Sequence, residues 1–257
     1  MLLVGYTVLM VHVPIPGFGV PDLSRGFPTA VTPPGELFSN WAFWIDFHLL
    51  GDHTWSARQL YDETGRLIWS FDPEGIISTL PAVASVLFGV LTGQWLTGAR
   101  PRRDILVGLM VGGSWLVLVG WLWSAWMPIN KRIWTSSYTV FTAGVALLCL
   151  GVIYHAVDSE EPGIVAVPGA LLRSFEPYGR NAILAFVGSG MMAITLGRIR
   201  VGDGAGGTQS FQSAAFEWLQ VLPGDERVAS LAWALGFVGV WAAITWALDR
   251  RGLYLKV

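Results

Sequence analysis

Residues 72–96, with the sequence DPEGIISTLPAVASVLFGVLTGQWL, decide the fold of this chain, because a charged turn leads directly into a long apolar segment. A helix of about twenty predominantly apolar residues crosses the hydrocarbon layer of a bilayer. The segment Ile76–Leu96 therefore predicts a membrane-spanning helix. Charged groups at the mouth of such a helix are costly and usually functional, so the turn Asp72-Pro73-Glu74-Gly75 indicates a site.

Apolar segments elsewhere in the chain extend this prediction to a helix bundle. They are Ile105–Met127, Ser136–Val157, Ala182–Leu196 with its flanks, and Val228–Leu248. Met1–Val13 is apolar but too short to cross a bilayer, and it predicts a partial helix. Charged residues make up only 13% of the chain, against about 25% in soluble domains. We therefore predict an all-α, polytopic integral membrane helix bundle of about five full spans plus a partial first helix, forming one domain over residues 1–257.

The basic residues of the short connections predict the orientation of this bundle. They collect on one side: Arg100, Arg102 and Arg103 in one turn, and Arg250, Arg251 and Lys256 in the tail. Lys and Arg in short loops favour the cytoplasmic side, so the C-terminal tail is predicted to be cytoplasmic. Residues 14–75 then form a long exterior loop, and residues 76–257 form the five-span bundle.

Two surface helices are predicted outside the spans. Asn40 is a suitable N-cap for a short aromatic helix that ends at Leu50 and would lie at the membrane interface. The segment Phe211–Leu222 has apolar residues at helical spacing, which indicates a second surface-lying helix.

Composition and spacing argue against several other kinds of site. The net charge of -2 gives no indication of nucleic-acid binding. The four histidines lack the spacing of metal ligands, so no metal is expected. The glycine-rich segment Gly202–Thr208 has no strand before it and no lysine after it, so it predicts a flexible loop rather than a phosphate-binding loop.

The first motif, Asp72-Pro73-Glu74-Gly75, allows two interpretations. Asp72 is a natural N-cap, Pro73 suits the first helical position, and Glu74 favours the positive end of a helix, so capping alone explains the motif taken by itself. The functional interpretation is a substrate pocket next to the exterior loop. There His53 is a weak candidate for a general base, although a solvent-exposed loop histidine is the simpler interpretation.

The second motif, Asn130-Lys131-Arg132-Ile133-Trp134, precedes the third predicted span. It is either an exterior turn with an interfacial anchor or one wall of a polar cavity. Ser137 and Tyr138 place hydroxyl groups inside that span, where they either bond to the backbone or line the cavity. Asn181 begins a later span, and its amide serves either helix packing or a ligand.

The order of these motifs resembles that of a known family. They are, in order, Pro14-Ile15-Pro16-Gly17-Phe18-Gly19, Asp46 with Leu49-Leu50-Gly51-Asp52-His53, Asp72-Pro73-Glu74-Gly75-Ile76, residues 128–138 with the sequence PINKRIWTSSY, and Gly179-Arg180-Asn181-Ala182-Ile183. This series resembles the heparan-α-glucosaminide N-acetyltransferase family and its bacterial relatives, which are multi-span membrane acyltransferases. The likeness runs from the first residues to the tail, and the five ordered motifs are more specific together than any one alone.

The resemblance implies transfer of an acetyl group from cytoplasmic acetyl-CoA to an amino-sugar or glycan acceptor across a membrane, here the bacterial inner membrane. Asp72 and Glu74 would then organise the outer mouth of a cavity. Five residues would line this mouth or fix the loop that closes it: Asn130, Lys131, Trp134, Ser137 and Tyr138. Asn181 would form hydrogen bonds within the cavity. Acetyl-CoA is the acyl donor that the resemblance implies, with no metal.

The chain departs from the family pattern at its start. Family members use a histidine in their N-terminal spans, and none of His12, His48, His53 or His155 matches it, so no catalytic residue is assigned. We expect the chain to be the C-terminal portion of a longer enzyme that lacks the N-terminal helices, and the half-helix Met1–Val13 favours truncation. Association into a homo-oligomer, or with a partner that supplies those helices, remains the alternative.

Two other classes compete with the enzyme. In a membrane transporter the same polar residues would line a path, but the predicted spans are almost free of charged side chains, which argues against ion conduction. A non-catalytic membrane subunit is the third class. Acetyl-CoA binding separates the enzyme from the transporter, and activity of this chain alone separates it from the subunit.

Overall fold

A computed structural model describes residues 1–25, 27–29, 31–55, 59–158, 169–202, 206–220 and 226–255. The chain divides into two compact units, Met1–Ala166 and Val167–Val257. That the whole chain forms one membrane domain stays a prediction.

The first unit is built from five α-helices and one hairpin among its described residues. They are α1 (Leu2–His12), α2 (Trp41–Leu50), β1 (Gln59–Tyr61), β2 (Leu67–Ser70), α3 (Thr79–Thr97), α4 (Arg102–Trp123) and α5 (Ser136–Asp158). Two short 3₁₀ helices, Pro34–Glu36 and Gly51–His53, flank α2.

The second unit has four α-helices and a second hairpin among its described residues. They are α6 (Gly169–Arg180), α7 (Ala182–Arg198), β3 (Arg200–Gly202), β4 (Thr208–Ser210), α8 (Phe211–Gln220) and α9 (Glu226–Arg250). The helix α8 confirms the predicted element after Phe211, whereas Leu222 lies outside the described residues. The predicted Gly202–Thr208 loop joins β3 to β4, so the expectation that no strand precedes it is wrong. Residues 203–205 of the loop lie outside the described part.

The helical membrane fold is confirmed. Four described helices, α3, α4, α5 and α9, are long and apolar enough to cross a bilayer. Residues Arg173–Arg180 and α7 are together apolar enough to form a fifth span, but the two helices meet at a bend of 78°. They add a span only if this bent pair is counted as one helix. The helix α1 has 11 residues and remains the short apolar helix that its sequence predicts.

Glycines allow α4 and α5 to pack closely. A Cβ atom added to Gly120 would lie 2.5 Å from the backbone N of Phe141, and one added to Gly144 would lie 2.5 Å from the backbone N of Val117. Without side chains at these positions the two backbones approach each other, and dispersion forces then hold the pair together in a lipid environment.

The predicted exterior loop folds around an aromatic core. The side chain of Asn40 accepts a hydrogen bond from the Phe43 N–H at 3.1 Å, which confirms the predicted N-cap of α2. Phe43 is 3% exposed and packs against Trp69 and Phe71 in this core. The hairpin β1–β2 was missed by sequence reasoning, because each of its strands has only three or four residues.

Candidate functional site

The two polar motifs meet at one end of the first unit. The helices α3 and α5 both begin there: Trp134, which lies just before α5, donates a hydrogen bond from Nε1 to Ser85 Oγ near the start of α3 at 3.1 Å. We call this region, formed by residues 72–76 and 130–138 with the start of α3, the motif end. The structure thus brings together the motifs that the sequence separates by about sixty residues.

At the motif end, the first motif forms a turn and not a helix cap. The Glu74 N–H donates to Asp72 Oδ1 at 3.0 Å, and the Gly75 N–H donates to the Asp72 carbonyl at 2.9 Å. Asp72 Oδ2 also accepts the Trp55 N–H at 3.1 Å. Since α3 begins only at Thr79, the interpretation of Asp72 as its N-cap is wrong. Asp72 shapes the turn instead, and Glu74 lies exposed at its surface.

A buried carboxylate, Asp46, lies behind this turn. Its side chain is 0% exposed, and its two oxygens accept the Asp72 N–H at 3.3 Å and the Ile76 N–H at 3.2 Å. Burial raises the pKa of Asp46 to about 6; the two hydrogen bonds oppose that rise and the charge of Asp72 adds to it. Sequence reasoning used Asp46 only as part of a family motif, although a lone acidic residue within WAFWIDFHLL was a usable signal.

The second motif is a loop closed by its own hydrogen bonds. Asn130 Oδ1 accepts the Arg132 N–H at 2.9 Å. The Asn130 N–H donates to Thr135 Oγ1 at 3.0 Å, and the Thr135 N–H returns a bond to the Asn130 carbonyl at 3.1 Å. Asn130 therefore holds the loop, together with Thr135, a residue that sequence reasoning missed. Lys131 projects from this loop as an exposed cation.

The same loop is tied to α1 and to the aromatic core. Ile133 is 2% exposed in that core, and its carbonyl accepts a hydrogen bond from the Tyr6 hydroxyl of α1. Ser136 Oγ donates to the Leu3 carbonyl at 2.8 Å. The short helix α1 is thus bonded to the second motif at two points.

Trp134 lies in an unusual backbone conformation. Its φ of 48° falls in the left-handed region, which is strained for a bulky residue by about 1–3 kcal/mol. Its ring meets the Tyr138 ring edge-on at 5.4 Å, and its indole nitrogen is held by Ser85. Ser137 is fully buried, with its hydroxyl 3.2 Å from Thr135 Oγ1. The contacts of the Trp134 side chain therefore hold this residue in a backbone conformation that it would otherwise disfavour.

A groove of about 560 Å³ runs from Trp134 along α3 and α5. Its polar lining residues are Ser85, Thr92, Thr139 and Thr142, its other lining residues are apolar or glycine, and none carries a charge. It extends along α3 from Ser85 to Leu96, which spans about 16 Å at the helical rise. The arginine-rich turn between α3 and α4 follows directly, where the Arg100 guanidinium lies 4.1 Å from the centre of the Trp95 ring.

Two further predicted site residues are not part of the motif end as defined above. Asn181 belongs to the second unit, at the bend between α6 and α7, where it is 1% exposed. Its Oδ1 accepts the Leu255 N–H at 3.4 Å, while its Nδ2 has no partner among the described residues. His53 is exposed on a short 3₁₀ helix. The roles of both residues in a cavity stay predictions.

Within the described ranges, no group of three or more His, Cys, Asp or Glu side chains is placed to hold a metal ion. The motif end offers two carboxylates, the amide of Asn130, hydroxyl groups and the cations Lys131 and Arg132 instead. These groups can orient a polar acceptor by hydrogen bonds and charge.

The fold and the motif end define a polytopic helical membrane protein with a polar site where two spans begin. No protein-family model matches the chain. It is 30% identical over 190 residues to human (Homo sapiens) heparan-alpha-glucosaminide N-acetyltransferase, an alignment that covers 63% of this chain and 26% of the relative. The mouse (Mus musculus) protein of the same name is 26% identical over 164 residues, covering 57% of this chain and 22% of the relative.

These comparisons confirm the resemblance to the heparan-α-glucosaminide N-acetyltransferase family that the ordered motifs indicated. The chain spans about a quarter of the length of the curated relatives it matches.

Proposed function

We propose that this chain serves transmembrane acetyl transfer, from acetyl-CoA on the cytoplasmic side to the amino group of a sugar on the opposite side of the membrane. One structural observation carries the proposal beyond sequence similarity. An uncharged groove runs along α3 from Trp134 of the motif end to Leu96, which lies shortly before the arginine-rich turn.

The described residues fit the donor in chemical type. Acetyl-CoA is long, with anionic phosphates at one end and a neutral thioester arm at the other. Arg100, Arg102 and Arg103 would face the phosphates, as guanidinium groups suit phosphate recognition. The neutral groove would take the arm, which brings the acetyl group toward the motif end. This placement agrees with the predicted orientation, in which the arginine turn is cytoplasmic.

The acceptor would bind at the motif end. Asp72 and Glu74 would orient an amino sugar by accepting hydrogen bonds and by attracting its ammonium form. The bound ammonium group first releases one proton to water. The neutral amine then attacks the thioester carbonyl carbon, the C–S bond breaks, and the second proton lost by the nitrogen leaves with the CoA thiol. Holding both reactants in line is the main contribution expected from the described residues.

The test is acetyl transfer across a membrane. The protein, purified from its native membrane, is reconstituted into vesicles with acetyl-CoA on one side and glucosamine on the other. N-acetylglucosamine on the acceptor side supports the proposal. Acetyl-CoA binding without transfer would make the chain a non-catalytic subunit, and the absence of both binding and transfer would favour the transporter class.

Substitutions at the motif end test whether its residues are needed for this transfer. Asp72→Ala and Asn130→Ala should reduce transfer at least ~10-fold at unchanged protein level, because each removes hydrogen bonds that shape one motif. Asp22→Ala is a matched control, since Asp22 is an exposed carboxylate that also closes a local turn away from the motifs. Normal transfer by both motif variants would refute the assignment of this site.

A further inference from the structure

The side chain of Asp46 is the most deeply buried carboxylate beside the motif end, and the proposed reaction does not use it directly. Each of its oxygens holds one backbone N–H, that of Asp72 on one side of the turn and that of Ile76 on the other. The two bonds therefore bracket the whole Asp72–Gly75 motif and attach it to α2.

Gly75 is shaped to this carboxylate. A Cβ atom at Gly75 would lie 2.2 Å from Asp46 Oδ2 and 2.5 Å from Oδ1, far inside van der Waals contact. The glycine of the motif is thus required for the close approach of the carboxylate, and not by a left-handed backbone. The Asp46 carboxylate thus occupies the space that a side chain at position 75 would fill, and the two residues form a complementary pair on separate segments.

We propose that Asp46 is the positioning residue of the motif end: it ties α2 to the turn and holds Asp72 and Glu74 where an acceptor binds. Its effect on the turn rests on the geometry alone. Its effect on acceptor binding also rests on the proposed function.

The surroundings of Asp46 predict how its attachment to the turn, through the two backbone hydrogen bonds, responds to pH. Asp72 in the turn and the Tyr6 hydroxyl of α1 interact with its charge. The other titratable groups of the elements that contact α2 are exposed: His12, Asp52 and His53. Opening of the turn would return Asp46 to water and to its usual pKa of 3.8, whereas in the closed turn burial raises the pKa to about 6. The closed turn therefore holds the proton more tightly, and it is favoured as the pH falls through about 6.

Hydrogen exchange of residues 71–78 tests the tie in the purified full chain. Asp46→Ala should speed exchange of this segment at least ~10-fold, since two hydrogen bonds to a carboxylate are lost. Asp46→Asn resembles the protonated acid, so its exchange, corrected for the intrinsic rate, should not change between pH 5 and pH 7.5. In the wild type, the exchange rate of this segment, corrected for the intrinsic rate in the same way, should be lower at pH 5 than at pH 7.5.

Asp62→Asn is the matched control. Asp62 also accepts two backbone N–H groups, from Thr64 and Arg66 at 2.9 Å each, but it is only half-buried, at the hairpin turn. Its variant should leave residues 71–78 unchanged. If exchange of that segment is the same in the wild type and in Asp46→Ala, the proposal is overturned.

Kinetics separate positioning from general stability. With glucosamine and acetyl-CoA as substrates, Asp46→Ala should raise KM for the amine at least ~10-fold with little change in kcat, because only acceptor placement is altered. Asp46→Asn should recover most of the lost affinity and flatten the pH profile between 5 and 7. An equal loss of kcat in both variants, with an unchanged KM, would refute positioning. If the wild type transfers no acetyl group, the proposed function fails, and hydrogen exchange alone decides the role of Asp46.

Discussion

Replacing Gly75 by alanine should break the attachment of the first motif to α2. The new Cβ would lie 2.2 Å, 2.5 Å and 2.6 Å from Oδ2, Oδ1 and Cγ of Asp46, so the carboxylate or the turn must move. In either case Asp46 loses its bonds to the Asp72 and Ile76 N–H groups. Each hydrogen bond to a charged group is worth about 1.5–3 kcal/mol, so the loss of two should lower the free energy of unfolding by about 3–6 kcal/mol.

The double variant Gly75→Ala/Asp46→Ala makes this reasoning specific. Once the Asp46 carboxylate is gone, the alanine at position 75 has room, and adding it should cost less than about 1 kcal/mol. The two substitutions should therefore be non-additive by about 2 kcal/mol or more. Gly35→Ala is the matched control, since a Cβ at Gly35 in the same predicted exterior segment meets nothing within 4 Å.

Unfolding by urea in detergent, followed by tryptophan fluorescence, measures these differences. Trp69 and Trp55 report on the region, because one packs in the aromatic core and the other donates its N–H to Asp72. A loss below 1 kcal/mol for Gly75→Ala would contradict the predicted clash. Simple additivity of the two substitutions would show that Gly75 and Asp46 do not form a complementary pair.

Further predictions concern the second motif and pH. Trp134→Phe and Ser85→Ala each remove the same hydrogen bond, so each should lower the free energy of unfolding by about 1 kcal/mol and the pair by little more; additive losses would contradict a direct bond. Asn130→Ala should destabilise the loop by about 1 kcal/mol and speed its hydrogen exchange, whereas exchange at the wild-type rate would argue against its bracing role. The folded pKa of Asp46, about 6, exceeds its usual 3.8, so the part of the stability that comes from protonating Asp46 is complete below pH 4 and is lost as pH rises through 6. The wild type should therefore gain up to about 3 kcal/mol relative to Asp46→Asn between pH 7.5 and pH 4, and equal pH profiles of unfolding would refute this.

The spans could be predicted because length and apolar composition alone determine them. Ile76–Leu96 and Ser136–Val157 each exceed the thickness of the hydrocarbon layer, and the corresponding helices are Thr79–Thr97 and Ser136–Asp158. The cap at Asn40 is equally local, since it depends on one side chain and an N–H three residues later. The start of α3 could not be predicted in the same way, because Asp72 bonds to the turn and to Trp55 rather than to the helix.

The helical membrane fold could be predicted from composition and the length of the apolar segments, and the ordered motifs indicated the acetyltransferase family. Both depend on composition and on residues that are neighbours in the chain. Two contacts could be found only in the folded chain: Asp46 bonds to both ends of the Asp72–Gly75 turn, and Trp134 bonds to Ser85 of α3. Such contacts join residues far apart in sequence, so they form only when packing between the segments is complete. For that reason the residues that hold the candidate site in shape, Asp46 above all, emerged from the fold rather than from the motifs.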